Sequence, residues 1–207
     1  MGRLGHTFFE RDTLQVARDL LGRRLVRVVD GRRLAGLIVE VEAYIGEDDL
    51  ACHAARGRTP RTQVMYGPPG RSYVYFIYGM YHCLNVVAER TDFPAAVMIR
   101  ALAPEEGRET MRHNRGGRRD NDLTNGPGKL CQALQIDRQL NDVDLTTDPV
   151  LFLEEGSPVP EARVAVSPRI GLNVPGWAAD ALWRFYVVDS PHVSAQKQKR
   201  RNSDGHH

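Results

Sequence analysis

Four of the seven tyrosines in this 207-residue chain fall between positions 73 and 81, and no other stretch limits the fold as tightly as the one that holds them, Ser72–Val87 (SYVYFIYGMYHCLNVV). Tyr73, Val74, Tyr75, Phe76 and Ile77 are all β-branched or aromatic and read as a strand. Gly79 punctuates it, and Tyr81–Val87 reads as the returning strand. The result is a β-hairpin with Tyr78 and Met80 at its tip. Hairpin tips ordinarily carry Gly, Asn, Asp or Ser, which suit both the turn backbone and water, so a large aromatic and a methionine there need a reason. Two reasons stand open: the tip is buried under another segment, or Tyr78 is a wedge, a rigid side chain pushed between stacked bases.

The chain is long enough for one domain with a sizeable core. A hydrophobic fraction of 42% against a charged fraction of 26% excludes disorder. No apolar run is long enough to span a bilayer and the first residues, MGRLGHTFFERD, lack an apolar signal region, so the expectation is an intracellular protein: cytoplasmic, on the nucleoid, in a bacterium, or nuclear in a eukaryote. Three widely spaced cysteines, Cys52, Cys83 and Cys131, form no CxxC pair and indicate reduced thiols rather than disulfides or zinc ligands. The net charge of +2 conceals basic clusters at Arg56–Arg71, Arg108–Arg119 and Lys197–Arg201. Arginine forks match phosphate geometry, so the clusters point to a polyanion, although any one of them reads equally as a solvated loop.

Along the chain, Asp12 and Gln15 cap a short helix whose apolar face is Val16, Ala17, Leu20 and Leu21. Asp30-Gly31 joins two strands, Arg24–Val29 and Leu34–Tyr44, as a type I′ turn. The period of two in the second strand puts Glu40, Glu42 and Tyr44 on one face. Ile45–Arg71 is too long and irregular for a simple connection. Ala95–Leu102 reads as a central strand containing Arg100, and Pro104 as the first residue of a helix over PEEGRETMRHNR, followed by a mobile basic loop at Arg115–Asp122. Asn125-Gly126-Pro127-Gly128 predicts a capped helix from Pro127, with Lys129 at a start able to hold a phosphate or simply capped. Further strands are expected at Val150–Leu153, Arg163–Val166 and Arg184–Val188, around a helical Trp177–Trp183. The fold class is therefore α+β: a single domain over residues 1–194 with a curved, mostly antiparallel sheet, surrounding helices and a protruding β-hairpin, then a basic, disordered tail at 195–207.

An arginine inside an apolar strand needs a carboxylate, and Glu40 and Glu42 are the candidates. The pair is either a structural tie between strands or part of a site in which an arginine orients a carboxylate that deprotonates water. His53, in the irregular stretch, decides nothing by itself.

The blocks IVEVEAYIGEDDLACHAARGRTPRTQVMY, YVYFIYGMYHCLNVV, VMIRALAPEEG, GPGKLCQAL and RFYVVDSPHVS resemble, in order and over Thr7–Ser194, the alkyladenine or methylpurine DNA glycosylase family. Ser167-Pro168-Arg169, and His82 and Leu84 beside the hairpin tip, depart from it. The resemblance implies a glycosylase that flips a damaged purine from duplex DNA and hydrolyses its bond to deoxyribose without lyase activity or cofactor, acting as a monomer. By the same resemblance Glu42 is the general base and Arg100 helps hold its water. Tyr44, Tyr75 and His53 wall the base pocket, Asn85 disfavours guanine's exocyclic amino group, and Tyr78 intercalates. No zinc-spaced ligand cluster is present, so no metal is expected. Two competitors remain: a non-catalytic nucleic-acid-binding module that uses the hairpin aromatics for stacking, and an enzyme that hydrolyses free nucleosides.

Overall fold

The computed structural model describes residues 2–194; the basic tail lies outside them. After a single turn, α1 (His6–Phe9), the Asp12 carboxylate accepts the N–H groups of Leu14 and Gln15 and opens α2 (Thr13–Leu20), whose Val16, Ala17 and Leu20 are buried. Asp30 and Gly31 both take positive φ, 49° and 71°, as a type I′ turn requires, and join β1 (Arg24–Val29) to β2 (Arg32–Ile45). The chain then passes through two short 3₁₀ turns, His53–Arg56 and Gln63–Tyr66, to the hairpin β3 (Ser72–Ile77) and β4 (Tyr81–Val87), and on to β5 (Ala95–Glu106). Next come α3 (Arg108–Asn114), α4 (Pro127–Ala133), β6 (Leu151–Glu154), β7 (Val164–Ser167), α5 (Trp177–Asp180) and β8 (Arg184–Val187).

Among the described residues the eight strands form one open antiparallel sheet, six of them in the order β3-β4-β5-β2-β1-β6 with β8 paired to β2 and β7 to β8, and there are five helices, so the class is α+β as expected. The fourteen-residue β2 organises it. One edge of β2 pairs with β5 from Ala35 to Ile45; the other pairs with β1 over its first half and with β8 at Glu40–Glu42. Where the partner changes, the register with β5 slips twice, leaving Val39 and Arg100 as extra residues opposite one another's strands. Such bulges re-aim side chains. Here Glu40, opposite Ala101, and Glu42, opposite Met98, both turn toward Arg100. The core beneath is formed by α2, the inner faces of β2 and β5, and α4.

Two expectations give way and two more hold only in part. Pro104 does not open a helix: β5 runs on to Glu106, and α3 starts only at Arg108. Glu105 and Glu106 are satisfied across the sheet by Arg24 and Arg33 rather than by a helix N-terminus, and a register shift beside Gly36, which faces Pro104, accommodates the missing N–H. The break is made by Gly107, whose φ of 73° and closeness to Leu34 leave no room for a Cβ. The Arg115–Asp122 loop is tied rather than loose: Arg112 bonds Asp120, Arg115 bonds the Leu123 carbonyl, and Lys129 pairs with Asp122. Helix α4 begins at Pro127 as expected but without a side-chain cap, and the Trp177–Trp183 helix stops at Asp180. The three cysteines are unpaired and buried. Among the described residues no helix is long and apolar enough to cross a membrane.

Candidate active site

At the bulge, Arg100 donates through Nε to Glu40 and through Nη1 to Glu42, both at 3.0 Å, with all three side chains buried. The two carboxylates are differently engaged. Glu40 also accepts Arg184 Nε and the backbone and hydroxyl of Ser194, so it is saturated. Burial raises its carboxyl, but Arg100, Arg184 and Ser194 outweigh burial and hold it below the usual range. Glu42 accepts the Tyr44 hydroxyl at 2.8 Å on the oxygen that meets Arg100, and the Ile170 N–H at 2.7 Å on the other. Four lone-pair directions less three donors leaves room for one more hydrogen bond. Burial lowers the Arg100 guanidinium, yet Glu42 and Glu40 raise it further, so it stays charged.

Above this pair opens a cleft of about 780 Å³, lined among others by Tyr44, His53, Tyr75, Tyr78, Arg100 and Lys129. Its volume lies in the range of small-molecule sites. His53 meets Tyr75 edge to face, 4.5 Å between ring centres, and its Nδ1 shares a 2.8 Å hydrogen bond with the Tyr73 hydroxyl. Burial, with Arg61 and Arg56 nearby, pushes the His53 imidazole down to about 4, so the ring is neutral at physiological pH. Burial likewise raises the Tyr44 and Tyr75 phenols, so both rings remain uncharged. The aromatic walls are thus neutral π-faces beside the charged Arg100.

Asn85 does not line this cleft. It lines a recess of about 20 Å³ bordered also by Tyr44, His53 and Tyr75, room for about one water. Its Nδ2 donates to the Tyr73 carbonyl at 3.0 Å. The hairpin tip is not covered: Tyr78 is 80% exposed and Met80 63%, and Tyr78 has a φ of 54°. At the outer rim Lys129 is held by Asp122 and Asn125.

The profile of the methylpurine-DNA glycosylase family matches residues 7–191. The chain belongs to this family. It is 52% identical over 195 residues to a Myxococcus xanthus protein, covering 94% of each, and 50% identical over 192 residues to one from Methanocella arvoryzae, covering 92% of this chain and 95% of that one. Both carry the name "Putative 3-methyladenine DNA glycosylase".

Family membership does not by itself explain how the site is braced, and the braces are not among the residues expected from the sequence. Tyr73 anchors His53; the period of two that pairs it with Tyr75 on one face was a signal for it. Arg184 saturates Glu40 from β8, and Ile170 holds Glu42 from the loop after β7. Nothing local to either residue marks it out, because each partner lies more than 120 positions away.

Proposed function

We propose that the chain is a monofunctional DNA glycosylase that turns an alkylated or deaminated purine out of duplex DNA into the cleft and hydrolyses its bond to deoxyribose, leaving an abasic site. One observation carries the reading: a buried carboxylate, Glu42, is held by Arg100, Tyr44 and the Ile170 N–H, all three of which line the aromatic-walled cleft in front of it. A surface built only to hold a polyanion has no use for such a carboxylate.

In the proposed step Arg100 and Glu42 hold a water. Glu42 takes its proton, the water oxygen bonds C1′ of the sugar, and the pair of the breaking C1′–N bond leaves on the base. A purine alkylated at a ring nitrogen is positively charged: Tyr44 and Tyr75 attract it with their faces, and the departing electron pair neutralises it. His53 forms the third wall, and Asn85 disfavours the exocyclic amino group of undamaged guanine. Tyr78 fills the gap left in the stack. A neutral lesion needs a proton on leaving. Asp122, the carboxyl group among the cleft-lining residues, is held below its usual range by Lys129 and is a poor donor. The reading therefore ranks cationic purines ahead of hypoxanthine and ethenoadenine.

Lys129, bonded to Asp122 and Asn125, is not free to attack C1′, so no Schiff base forms and borohydride should trap no covalent DNA complex. The protein acts inside the cell as a monomer without a cofactor. The deciding assay offers wild type duplexes carrying 3-methyladenine, 7-methylguanine, hypoxanthine or ethenoadenine in turn, with the free nucleosides alongside. Base release from duplex but not from nucleoside is expected. Tight lesion binding without release of any base would reduce the protein to a binding module, and release from nucleosides alone would make it a nucleosidase.

A further inference from the structure

Behind the cleft, and outside its lining, Arg169 and Asp49 form a fully buried two-pronged ion pair, Nη1 to Oδ2 at 2.6 Å and Nη2 to Oδ1 at 2.8 Å. A buried pair is seldom retained for stability alone, since well-packed apolar residues do as well. This one reaches four segments of the site. Nη1 also bonds the carbonyl of Ala43, the residue between Glu42 and Tyr44, and Nη2 bonds the carbonyl of Ala178 in α5. The guanidinium lies 4.8 Å from the Tyr44 ring centre and 5.0 Å from that of Trp183. Asp49 accepts the N–H groups of Ile45 and Ala51 and, through its carbonyl, that of Cys52, which fixes the start of the turn that carries His53. The residue after Arg169 is Ile170, whose N–H is the donor to the second oxygen of Glu42.

We propose that the Asp49–Arg169 pair is a positioning clamp for the water-activating carboxylate: by fixing the Pro168–Ile170 segment, it keeps the Ile170 N–H on Glu42, so it serves the chemical step rather than lesion binding. The inference rests on the reading of Glu42 as the base. Neither Asp49 nor Arg169 touches the cleft, so both are positioning residues.

The consequence is a pH signature. Glu42 is faced by Arg100 from β5, by Tyr44 and, through the shared arginine, Glu40 on its own strand, by Tyr75 of β3, by Cys83 of β4 and by the Ile170 N–H. Tyr44, Tyr75 and Cys83 are raised by burial above their ordinary values, Arg100 is held charged and Glu40 is held low. A donor to the ionised form of a carboxylate favours that form, so an acid limb of the rate that belongs to Glu42 moves to higher pH when the Ile170 N–H is lost.

The test compares wild type, Glu42→Gln, Arg169→Lys and the double variant Asp49→Leu/Arg169→Met, which removes both charges and leaves neither buried alone. Each is measured for thermal melting, for Kd on a 7-methylguanine duplex, and for single-turnover excision at saturating enzyme across pH. Expected for the double variant is a saturating rate lower by roughly 10- to 100-fold, the scale of a small misplacement of a reacting group, with its acid limb shifted upward and Kd unchanged. Arg169→Lys keeps a charge against Asp49 but cannot span both carbonyls, so it falls between and decides the matter if the double variant melts below the assay temperature. A folded variant with the wild-type rate and acid limb would overturn the clamp, as would rate and Kd falling together with the limb unmoved, which is the mark of a merely structural pair. Failure of the underlying reading looks different: wild type then excises nothing, or Glu42→Gln excises as well as wild type.

Discussion

Glu42 and Arg100 share a hydrogen bond but should respond to substitution to different degrees. Glu42→Gln keeps shape and leaves Arg100 paired with Glu40, so it should cost about 1–3 kcal/mol of stability at most, in line with loss of a hydrogen bond to a charged group. Its excision rate should fall roughly 10²- to 10⁴-fold, the usual contribution of a general base, while lesion binding persists. Arg100→Met leaves Glu42 buried without its cation, while Glu40 keeps Arg184, and should cost about 3–5 kcal/mol. Urea denaturation beside single-turnover rates checks both; a Glu42→Gln enzyme with unimpaired excision refutes the assignment. His53 gives a second residue-scale prediction. Its folded value is about 4 against 6.5 when exposed, so as pH falls through this window the unfolded chain takes up the proton first. The stability contributed by the neutral ring is complete above pH 6.5 and is lost progressively toward 4. Melting temperatures across that window should fall more steeply for wild type than for His53→Gln; parallel curves would show that the imidazole is not held neutral.

At the scale of elements, the hairpin and α4 form one unit. Gly128 lets Tyr81 lie against the first turn of α4: a Cβ there would come within 2.9 Å of the Tyr81 ring and 3.0 Å of its own Cβ. Tyr78 stands outward in left-handed backbone that favours Asn over an aromatic. Tyr78→Asn should therefore melt at or above wild type, yet bind lesion duplex more weakly and excise more slowly, with a smaller defect when the lesion lies opposite a gap that is already unstacked. Gly128→Ala, which displaces the hairpin, should slow excision in wild type and add little in the Tyr78→Asn background. Additive losses in that double-mutant cycle would separate Gly128 from the wedge. Much at this scale was legible. Tyr73–Ile77 announces a strand through its residue types, Asp30-Gly31 announces its turn, and the alternation Glu40, Glu42, Tyr44 announces a shared face. The paired bulge at Val39 and Arg100 was not legible, since no glycine marks it and it arises only where β2 exchanges β1 for β8. Pro104-Glu105-Glu106 carries a genuine helix-start signal that lost to two cross-sheet arginines.

Over the whole molecule the arginine clusters divide in a way that sequence cannot show, because it does not say which cations are consumed within the fold. Arg58 pairs with Asp92, Arg71 with Asp142, and Arg112 with both Glu109 and Asp120. The rim of the cleft is different at Arg118, which lies there exposed. Affinity for DNA measured against salt counts the phosphates that a protein neutralises. If Arg118 meets a phosphate, Arg118→Ala should reduce the slope of log K against log salt by about 1, equally for lesion and undamaged duplex. Arg112→Ala, which removes a cation already matched by two carboxylates, should leave that slope unchanged. Binding titrations of the three proteins over a range of salt on both duplexes make the comparison, and equal slopes for Arg118→Ala and wild type would move the DNA path off this rim.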